Sequence, residues 1–155
     1  YNRTSLKREY FLDKFFFMID IDHFKRLNDN FNHEMGDKCL KKFAEIVNKS
    51  IRKDDKLIRY GGEEFIILLN GESTEEEMQR RADELRLRVE KGTSEIKDLA
   101  DPNFVAPFTI SVGVNYMNPN YTLEENIKVA DKYLYEAKEK GRNRVVSRLN
   151  SDHPW

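Results

Sequence analysis

Runs and stripes of apolar residues divide the chain into strands and helices. Phe15–Ile19 is a continuous apolar run of strand length, which predicts a strand buried on both faces of a sheet. Phe65–Leu69 is a second run of this kind. Between the two, apolar residues recur at helical spacing and predict a helix over residues 36–52. The residues of this stripe are Leu40, Phe43, Ala44, Val47 and Ile51.

Shorter patterns predict the remaining elements. Strands are expected at 57–60, 108–114 and 145–146, and helices at 4–13 and 24–31. Gly61-Gly62 indicates a hairpin between two strands, because glycine tolerates the positive φ of tight turns. Two capping boxes, each a threonine with a glutamate three residues later, predict helices after Thr74 and Thr122. Their buried stripes are Met78, Ala82, Leu85 and Val89, and Leu123, Ile127, Ala130, Leu134 and Ala137.

The predicted order of elements is β-α-α-β-β-α-β-α-β after the first short helix. A hairpin beside βα crossovers indicates the ferredoxin-like, split βαβ plan, an α+β fold with a mostly antiparallel central sheet flanked by helices. Such a plan places helices on one face and leaves loops at the strand ends for a site. The 155 residues suit one domain, so residues 1–155 are interpreted as a single unit.

Composition narrows the classes of partner. Lys and Arg total 27 against 28 for Asp and Glu, which lacks the basic excess that a protein binding a nucleic acid polymer shows. One cysteine excludes an internal disulfide, and no apolar run is long enough to span a membrane. These features favour a cytoplasmic location without direct membrane contact. The chain does not begin with methionine, so we expect a fragment of a longer protein, missing its N-terminal part, whose parent could carry a membrane anchor.

Carboxylates stand at two predicted strand ends. Asp20 and Asp22 close the first strand and could hold a hard cation such as Mg²⁺, or could be solvated loop acids that cap the next helix. Glu63 and Glu64 follow the Gly-Gly turn. They repel each other unless solvated or bridged by a cation, so an exposed acidic turn and a metal site both fit.

Cationic and amide side chains near these carboxylates could handle a phosphorylated ligand. Lys25 lies at the start of a predicted helix, whose free amides could bind phosphate. Asn28 and Asp37 could read a purine edge, or could be a helix-end residue and a helix cap. Lys138 and Arg142 flank a helix end and could neutralise a triphosphate, or merely complement the helix dipole.

Taken together, these motifs resemble the GGDEF family. Residues 59–65, Arg-Tyr-Gly-Gly-Glu-Glu-Phe, are similar to the GGEEF variant of its signature. Further similar blocks occur in the family's order, and the resemblance runs from Tyr1-Asn2-Arg3 to Val146. The blocks are Asp20-Ile21-Asp22-His23-Phe24-Lys25-x-x-Asn28-Asp29, His33-x-x-Gly36-Asp37, Thr109 to Val114, and Ala130 to Asn143.

The resemblance implies a nucleotidyl-cyclase-like fold and a diguanylate cyclase. Such an enzyme condenses two GTP molecules into cyclic di-GMP with two Mg²⁺ or Mn²⁺ ions per active site. The ribose 3′-hydroxyl of one GTP attacks the α-phosphate of the other, and the family requires a homodimer because each domain holds one GTP. Asp37 favours GTP, because family members with serine at that position accept other purines.

Residue roles follow from the same resemblance. Metal would be held by Asp20, Glu64 and the Ile21 carbonyl, with Glu63 as a further ligand or the general base. Phosphates would be held by Lys25, which we count with Glu63 among the catalytic groups, and by Lys138 and Arg142. Guanine would be read by Asn28 and Asp37, in a pocket lined by Phe24 and Gly62.

The resemblance also implies regulation by product. Arg52 and Asp55 match the family's Arg-x-x-Asp inhibitory motif, although a charged turn at a helix end also fits them. The sequence departs from the family at Asn32, which is usually glycine, and at Glu84, where some members add an arginine to the inhibitory site. Two other functions stay open: a silent domain that binds GTP or cyclic di-GMP and regulates a partner, and an RNA-binding ferredoxin-like module, which the apolar strands disfavour.

Overall fold

The computed structural model describes residues 6–154 and is built on a five-stranded sheet. The strands are β1 (Phe15–Ile21), β2 (Lys56–Arg59), β3 (Glu64–Leu69), β4 (Ile110–Tyr116) and β5 (Arg144–Val146). The helices are α1 (Arg8–Phe11), α2 (Phe24–Asn30), α3 (His33–Ser50), α4 (Glu75–Ser94) and α5 (Leu123–Glu139). The strand order is β2-β3-β1-β4-β5, and only the β4–β5 pair is parallel. The α+β, ferredoxin-like prediction is confirmed, with β5 added beyond β4.

Helices cover both faces of this sheet. The odd-numbered residues of β1 join the core formed with α3 and α4, whereas Phe16 and Met18 join a second core with α1 and α5. All seven residues of β1 are buried, which confirms the burial predicted from its apolar run. The prediction of one helix-covered face is wrong. The chain reaches parallel β5 from β4 through α5, and a crossover helix of this kind lies on a face of the sheet.

Element ends differ from the predictions where side chains outside the apolar stripes decide them. α3 begins at His33, three residues before the predicted start, because the Asn32 side chain accepts a hydrogen bond from the Met35 amide at 2.9 Å. This capping gives the unusual Asn32 a physical role. β4 extends to Tyr116, which pairs with Phe15 at the far end of β1. α1 is shorter than predicted, and positions 4 and 5 of that prediction lie outside the described residues.

The hairpin between β2 and β3 forms, but not for the expected reason. Among residues 6–154, the glycines with positive φ are Gly71 and Gly141. A positive φ therefore does not explain the glycines at positions 61 and 62 of the turn. Instead, the Arg59 guanidinium donates to both turn carbonyls, at 3.2 Å to Gly61 and 2.6 Å to Gly62. The turn is therefore held by an arginine that precedes it.

α4 and α5 begin directly after the predicted threonines, Thr74 and Thr122. Thr122 forms the complete capping box with Glu125, in which each side chain bonds the other's backbone amide. The Thr74 hydroxyl accepts from the Glu77 amide at 3.1 Å, and the Glu77 carboxylate pairs with an arginine one turn later. Within residues 6–154, no helix combines the length and apolar character needed to cross a bilayer.

Candidate active site

The end of the central strand brings two carboxylates onto one face of the sheet. Asp20 of β1 lies directly opposite Glu64 of β3 and Ser111 of β4. Side chains opposite each other on antiparallel strands point to the same face, with their Cβ atoms about 5 Å apart. Asp20 and Glu64 continue the even-numbered series of Met18 and Ile66, which packs under α5. Both carboxylates therefore lie on the α5 side of the sheet.

Asp20 is a buried carboxylate with one satisfied and one unsatisfied oxygen. The Lys138 ammonium, from the last turn of α5, forms an ion pair with Oδ2 of Asp20. Oδ1 is buried and has no hydrogen-bond partner among residues 6–154. A buried carboxylate oxygen without a partner carries a large desolvation cost. A cation bound at Oδ1 would remove that cost, so this residue fits a metal site.

Glu63 adds a third carboxylate to the cluster. The Ile21 amide donates to the Glu63 carbonyl at 3.2 Å, which ties the hairpin turn to the end of β1. Burial raises the pKa of the Glu63 carboxyl, and the charges of Asp20 and Glu64 raise it further. Burial is also the main cause that raises the pKa of Asp20. These shifts reflect burial first and the repulsion between neighbouring carboxylates second.

The protein side chains do not complete a metal site by themselves. In the part of the chain that the structure describes, no three His, Cys, Asp or Glu side chains form a group that could hold a metal ion. Mg²⁺ usually keeps several oxygen ligands from water, backbone or nucleotide phosphate beside one or two carboxylates. The donor set around Asp20 fits a cation that arrives together with a phosphorylated ligand.

Asp22, the other candidate of the strand-end pair, has a structural environment. Its carboxylate accepts hydrogen bonds from the Thr109 hydroxyl at 2.7 Å, the Ser111 hydroxyl at 2.6 Å and the Asn143 amide at 3.0 Å. Asp22 is 5% exposed. With three donors already on its two oxygens, Asp22 joins β1 to β4 and to the segment after α5. The alternative of a solvated loop acid is wrong for Asp22.

Of the three predicted phosphate-binding cations, Lys138 contacts a carboxylate of the cluster directly, and Arg142 acts on it through its charge alone. Lys138 pairs with Asp20, and the positive charge of Arg142 opposes the rise in the pKa of Asp20. Arg142 is half-buried in the turn that follows α5. Lys25 is exposed on the first turn of α2, directly after Phe24, which packs against the larger core. Lys25 thus lies on a separate element near the same end of β1.

The predicted guanine-reading residues lie on α2 and α3. Oδ1 of Asn28 is buried without a hydrogen-bond partner among the described residues, and a Cβ added to Gly36 would lie 2.0 Å from it. Asp37 is exposed beside this contact. It lines a cleft of about 240 Å³ together with Leu40, Lys41, Ala44, Arg59 and Phe65. The alternative of Asp37 as a helix cap is wrong, because Asn32 caps α3.

The residues of the predicted inhibitory motif have different exposures. Arg52 is exposed, whereas Asp55 is buried. Asp55 accepts from the Arg52 amide at 2.9 Å, the Asn70 amide at 2.8 Å and the Arg81 guanidinium at 3.1 Å. The Nη1 atom of Arg81 is buried without a partner among residues 6–154. Glu84, where some family members add an arginine, instead pairs with Arg80 on the exposed side of α4.

Sequence reasoning missed several residues that shape the site. Arg59 belongs to the turn motif, but nothing in the sequence indicates that its guanidinium holds both glycine carbonyls. Thr109 and Ser111 are polar residues two positions apart in an otherwise apolar segment, a pattern that indicates a polar partner on one face. Asn143 follows Arg142 directly, and its side chain bonds Arg86 and Glu90 of α4.

The fold and the site together define a class of protein. A ferredoxin-like sheet, extended by one parallel strand, carries paired carboxylates and a lysine at the end of its central strand, an arrangement suited to binding a phosphorylated ligand together with a divalent cation. A family model described as "Diguanylate cyclase, GGDEF domain" matches residues 5–144. The chain belongs to this family.

Individual relatives agree with the family. The chain is 45% identical over 136 residues to the probable diguanylate cyclase DgcT of Escherichia coli K12, an alignment that covers 84% of this chain and 28% of that protein. The chain therefore spans less than a third of that relative. The structure of the active GGEEF domain of a Vibrio cholerae diguanylate cyclase matches with a TM-score of 0.78 and 27% identity, over 94% of this chain and 96% of that one. The GGDEF domain of DgcB from Caulobacter crescentus, in complex with c-di-GMP, matches with a TM-score of 0.76 and 28% identity, over 86% and 77%.

Proposed function

We propose that the chain is the catalytic domain of a diguanylate cyclase, which condenses two GTP molecules into cyclic di-GMP and releases two pyrophosphates. The observation that carries the proposal is the buried, unpartnered Oδ1 of Asp20, directly opposite Glu64 and within electrostatic range of Glu63. Buried carboxylates that repel one another lower the stability of the folded protein unless a cation binds between them. Family membership and the names of the relatives support GTP as the nucleotide.

Asp20, Glu64 and the Ile21 carbonyl would hold the metal ions, two Mg²⁺ or Mn²⁺ per site, with Glu63 as a further ligand. When bound, divalent ions activate an attacking hydroxyl and neutralise charge on a leaving phosphate. Glu63 would accept the proton of the 3′-hydroxyl. Its raised pKa suits this role, because a base with a higher pKa retains an abstracted proton more readily.

Lys138, Arg142 and Lys25 would hold the triphosphate. Lys138 supplies positive charge at Asp20 and Arg142 adds charge from the turn that follows α5, and both would stabilise the negative charge that grows as the bond to pyrophosphate breaks. Lys25 would contact the phosphates from α2. Positioning and charge stabilisation account for most of the acceleration in phosphoryl-type transfer, so correct placement of these three cations matters more than their number.

Asn28 and Asp37 would read guanine at the cleft between α3 and the hairpin. An aspartate can accept from the ring N–H and the exocyclic amine of guanine, and the unpartnered Oδ1 of Asn28 offers a further acceptor. Phe24 would line this pocket. A Cβ at Gly62 would meet nothing within 4 Å, so the protein leaves open space there, which suits a nucleotide against the turn.

Each domain would bind one GTP, so catalysis would need two domains face to face as a homodimer. The first attack joins the two nucleotides and releases one pyrophosphate. The second attack closes the ring and releases the other. A monomeric domain would bind GTP but could not bring a 3′-hydroxyl to a second α-phosphate.

Product would inhibit the enzyme at Arg52 and Asp55. Both oxygens of Asp55 already accept internal hydrogen bonds, so cyclic di-GMP would bind first to the exposed Arg52. To contact Asp55, the ligand would have to replace Arg81 there. The unpartnered Nη1 of Arg81 could then bind a ligand phosphate or carbonyl oxygen.

The test is incubation of the concentrated domain with GTP and Mg²⁺, followed by chromatography and mass detection of cyclic di-GMP. The proposal expects product from the parent protein and none from Glu64→Ala. Exposed Glu72→Ala is a matched control that should keep full activity. In the same assay, added cyclic di-GMP should inhibit the parent more strongly than Arg52→Ala.

Each other outcome has a distinct meaning. Tight binding of GTP or cyclic di-GMP without product at any protein concentration would favour the silent regulatory domain, or a fragment that cannot dimerise. A covalently linked tandem of two copies separates these two cases, because it supplies the partner domain. Failure to bind either nucleotide would exclude both the cyclase and the silent receptor.

A further inference from the structure

The segment after α5 has an unusual backbone. Gly141, Arg142 and Asn143 have φ values of 121°, 64° and 47°, so three successive residues have positive φ. Residues other than glycine pay a steric penalty in the left-handed region. Two such residues in a row persist only where surrounding contacts hold them. This strained turn contains Arg142, which lies four residues after Lys138, the partner of Asp20.

Contacts from two directions hold the strained turn at Asn143. From the sheet, the buried Asp22 carboxylate accepts the Asn143 backbone amide at 3.0 Å. From α4, Arg86 donates to Oδ1 of Asn143 at 3.0 Å, and Glu90 accepts from its Nδ2 at 2.6 Å. The Asn143 side chain therefore bridges a cation and an anion of one helix.

Arg86 and Glu90, which together with Asn143 form what we call the brace, are also paired within α4. The Arg86 side chain is 15% exposed and also bonds Asp83 at 2.8 Å. Arg86 additionally lies 3.9 Å from Glu90, so the two groups that hold Asn143 are themselves an ion pair. Arg86 is therefore held by two carboxylates of its own helix, while Glu90 is 43% exposed and contributes the weaker half of the brace.

We propose that Asn143, held by Arg86 and Glu90 of α4, is a positioning residue that fixes Arg142 for binding of the nucleotide phosphates. This inference rests on the proposed function, because it takes Arg142 as a phosphate ligand. None of the three bracing residues needs to touch substrate. By fixing Asn143, they fix the backbone of Arg142 and thereby the position of its side chain.

The experiment measures the affinity of the domain for a GTP analogue with a methylene group between the α- and β-phosphates, which prevents the reaction. Calorimetry in Mg²⁺ would compare the parent with Asn143→Gly, Arg142→Ala and the double variant. Glycine keeps the Asp22 bond and tolerates positive φ, so Asn143→Gly removes only the α4 contacts. Arg86→Ala releases the same brace from the other side, and Arg80→Ala is its matched control on the exposed side of α4.

The proposal expects Asn143→Gly and Arg86→Ala each to weaken analogue binding several-fold, up to the loss in Arg142→Ala. The double variant should bind no more weakly than Arg142→Ala, because residues acting through one group are not additive. Guanosine, which has no phosphate, should bind all these variants alike in an NMR titration, a result that general unfolding would not give. Arg80→Ala should bind the analogue like the parent.

Three results would overturn the proposal. Additive losses in the double variant would show that Asn143 does not act through Arg142. Equal loss of guanosine affinity would indicate a general structural role. An Asn143→Gly variant that folds and binds the analogue like the parent would show that the brace is unnecessary. If the parent fails to bind the analogue, the proposed function fails with it; if only Arg142→Ala weakens binding, the proposed function stands and the brace does not.

Discussion

Gly36→Ala separates guanine recognition from folding. A Cβ at Gly36 would lie 2.0 Å from Oδ1 of Asn28, and contacts below 3.0 Å are essentially never seen. The amide oxygen must therefore withdraw by about 1 Å or more, the difference between those two distances. Because this oxygen ends a rotatable side chain, Asn28 can turn away while the backbone of α3 stays in place.

The substitution should leave folding nearly unaffected and weaken the binding of GTP. Alanine is favoured over glycine in a helix by about 1 kcal/mol, and Oδ1 of Asn28 has no hydrogen bond among the described residues to lose. We therefore expect the free energy of unfolding to stay within about 1 kcal/mol of the parent. A missed hydrogen bond to guanine costs about 1–3 kcal/mol, which corresponds to a roughly 5- to 150-fold increase in the KM for GTP.

The assay compares KM for GTP, thermal stability, and affinity for inorganic triphosphate, which has no base to read. Gly92→Ala is the matched control, since Gly92 also lies in a long helix and an added Cβ would meet only the flexible Ile46 side chain, whose Cδ1 methyl is 3.3 Å away. Gly36→Ala should raise KM and leave triphosphate affinity unchanged, whereas Gly92→Ala should change neither. A folded Gly36→Ala with the parent's KM would refute the assignment of Asn28 to guanine.

Two further substitutions test packing and charge. Gly113→Ala would place a Cβ 2.4 Å from the Ala130 carbonyl, a backbone atom that cannot rotate away. Because α5 must shift, calorimetry should show a free energy of unfolding lower by about 1–3 kcal/mol and a Tm lower by ~2–12 °C. Glu63→Gln should raise the Tm at pH 7, by less than ~4 °C because solvent screens this half-exposed group. The raised pKa of Glu63 means that the folded state loses stability as pH rises above the ordinary value of 4.5, so the gain should vanish below about pH 4.5. An unchanged Tm for Gly113→Ala, or a Glu63→Gln gain that persists at pH 3.5, would contradict these arguments.

The fold could be predicted because its signals are local. The apolar run at Phe15–Ile19, the helical stripes and the Thr122 capping box each describe a segment through its own residues. The errors lie where one side chain decides a boundary or a turn. Asn32 starts α3 early through a single cap, and Arg59 holds the hairpin turn that we expected glycine conformation to explain.

Only the part of the candidate site that lies in short local motifs could be predicted from the sequence. Asp20, Glu63 and Glu64 stand in short motifs, so their chemistry could be inferred from neighbours in the sequence. The environment of Asp22 could not, because its donors Thr109 and Asn143 lie 87 and 121 positions away. Asp55 is a similar case, since Arg81, 26 positions away, donates a hydrogen bond to the carboxylate that the motif predicts to bind a ligand. Long-range hydrogen bonds between polar residues leave no periodic trace in the sequence.

Lys138 connects the carboxylate cluster to the proposed reaction. Its ammonium neutralises Oδ2 of Asp20, yet Oδ1 has no partner among residues 6–154 and the pKa of Asp20 is still raised. One lysine therefore offsets only part of the cost of the carboxylate cluster. In the proposed complex, a cation would take over the neutralisation of Asp20, and Lys138 would be free to bind phosphate without crossing the site. Because the same charge would serve both states, Lys138→Met should weaken triphosphate binding and also raise the pKa of Asp20 further in the free protein, which an NMR pH titration of the carboxyl would detect.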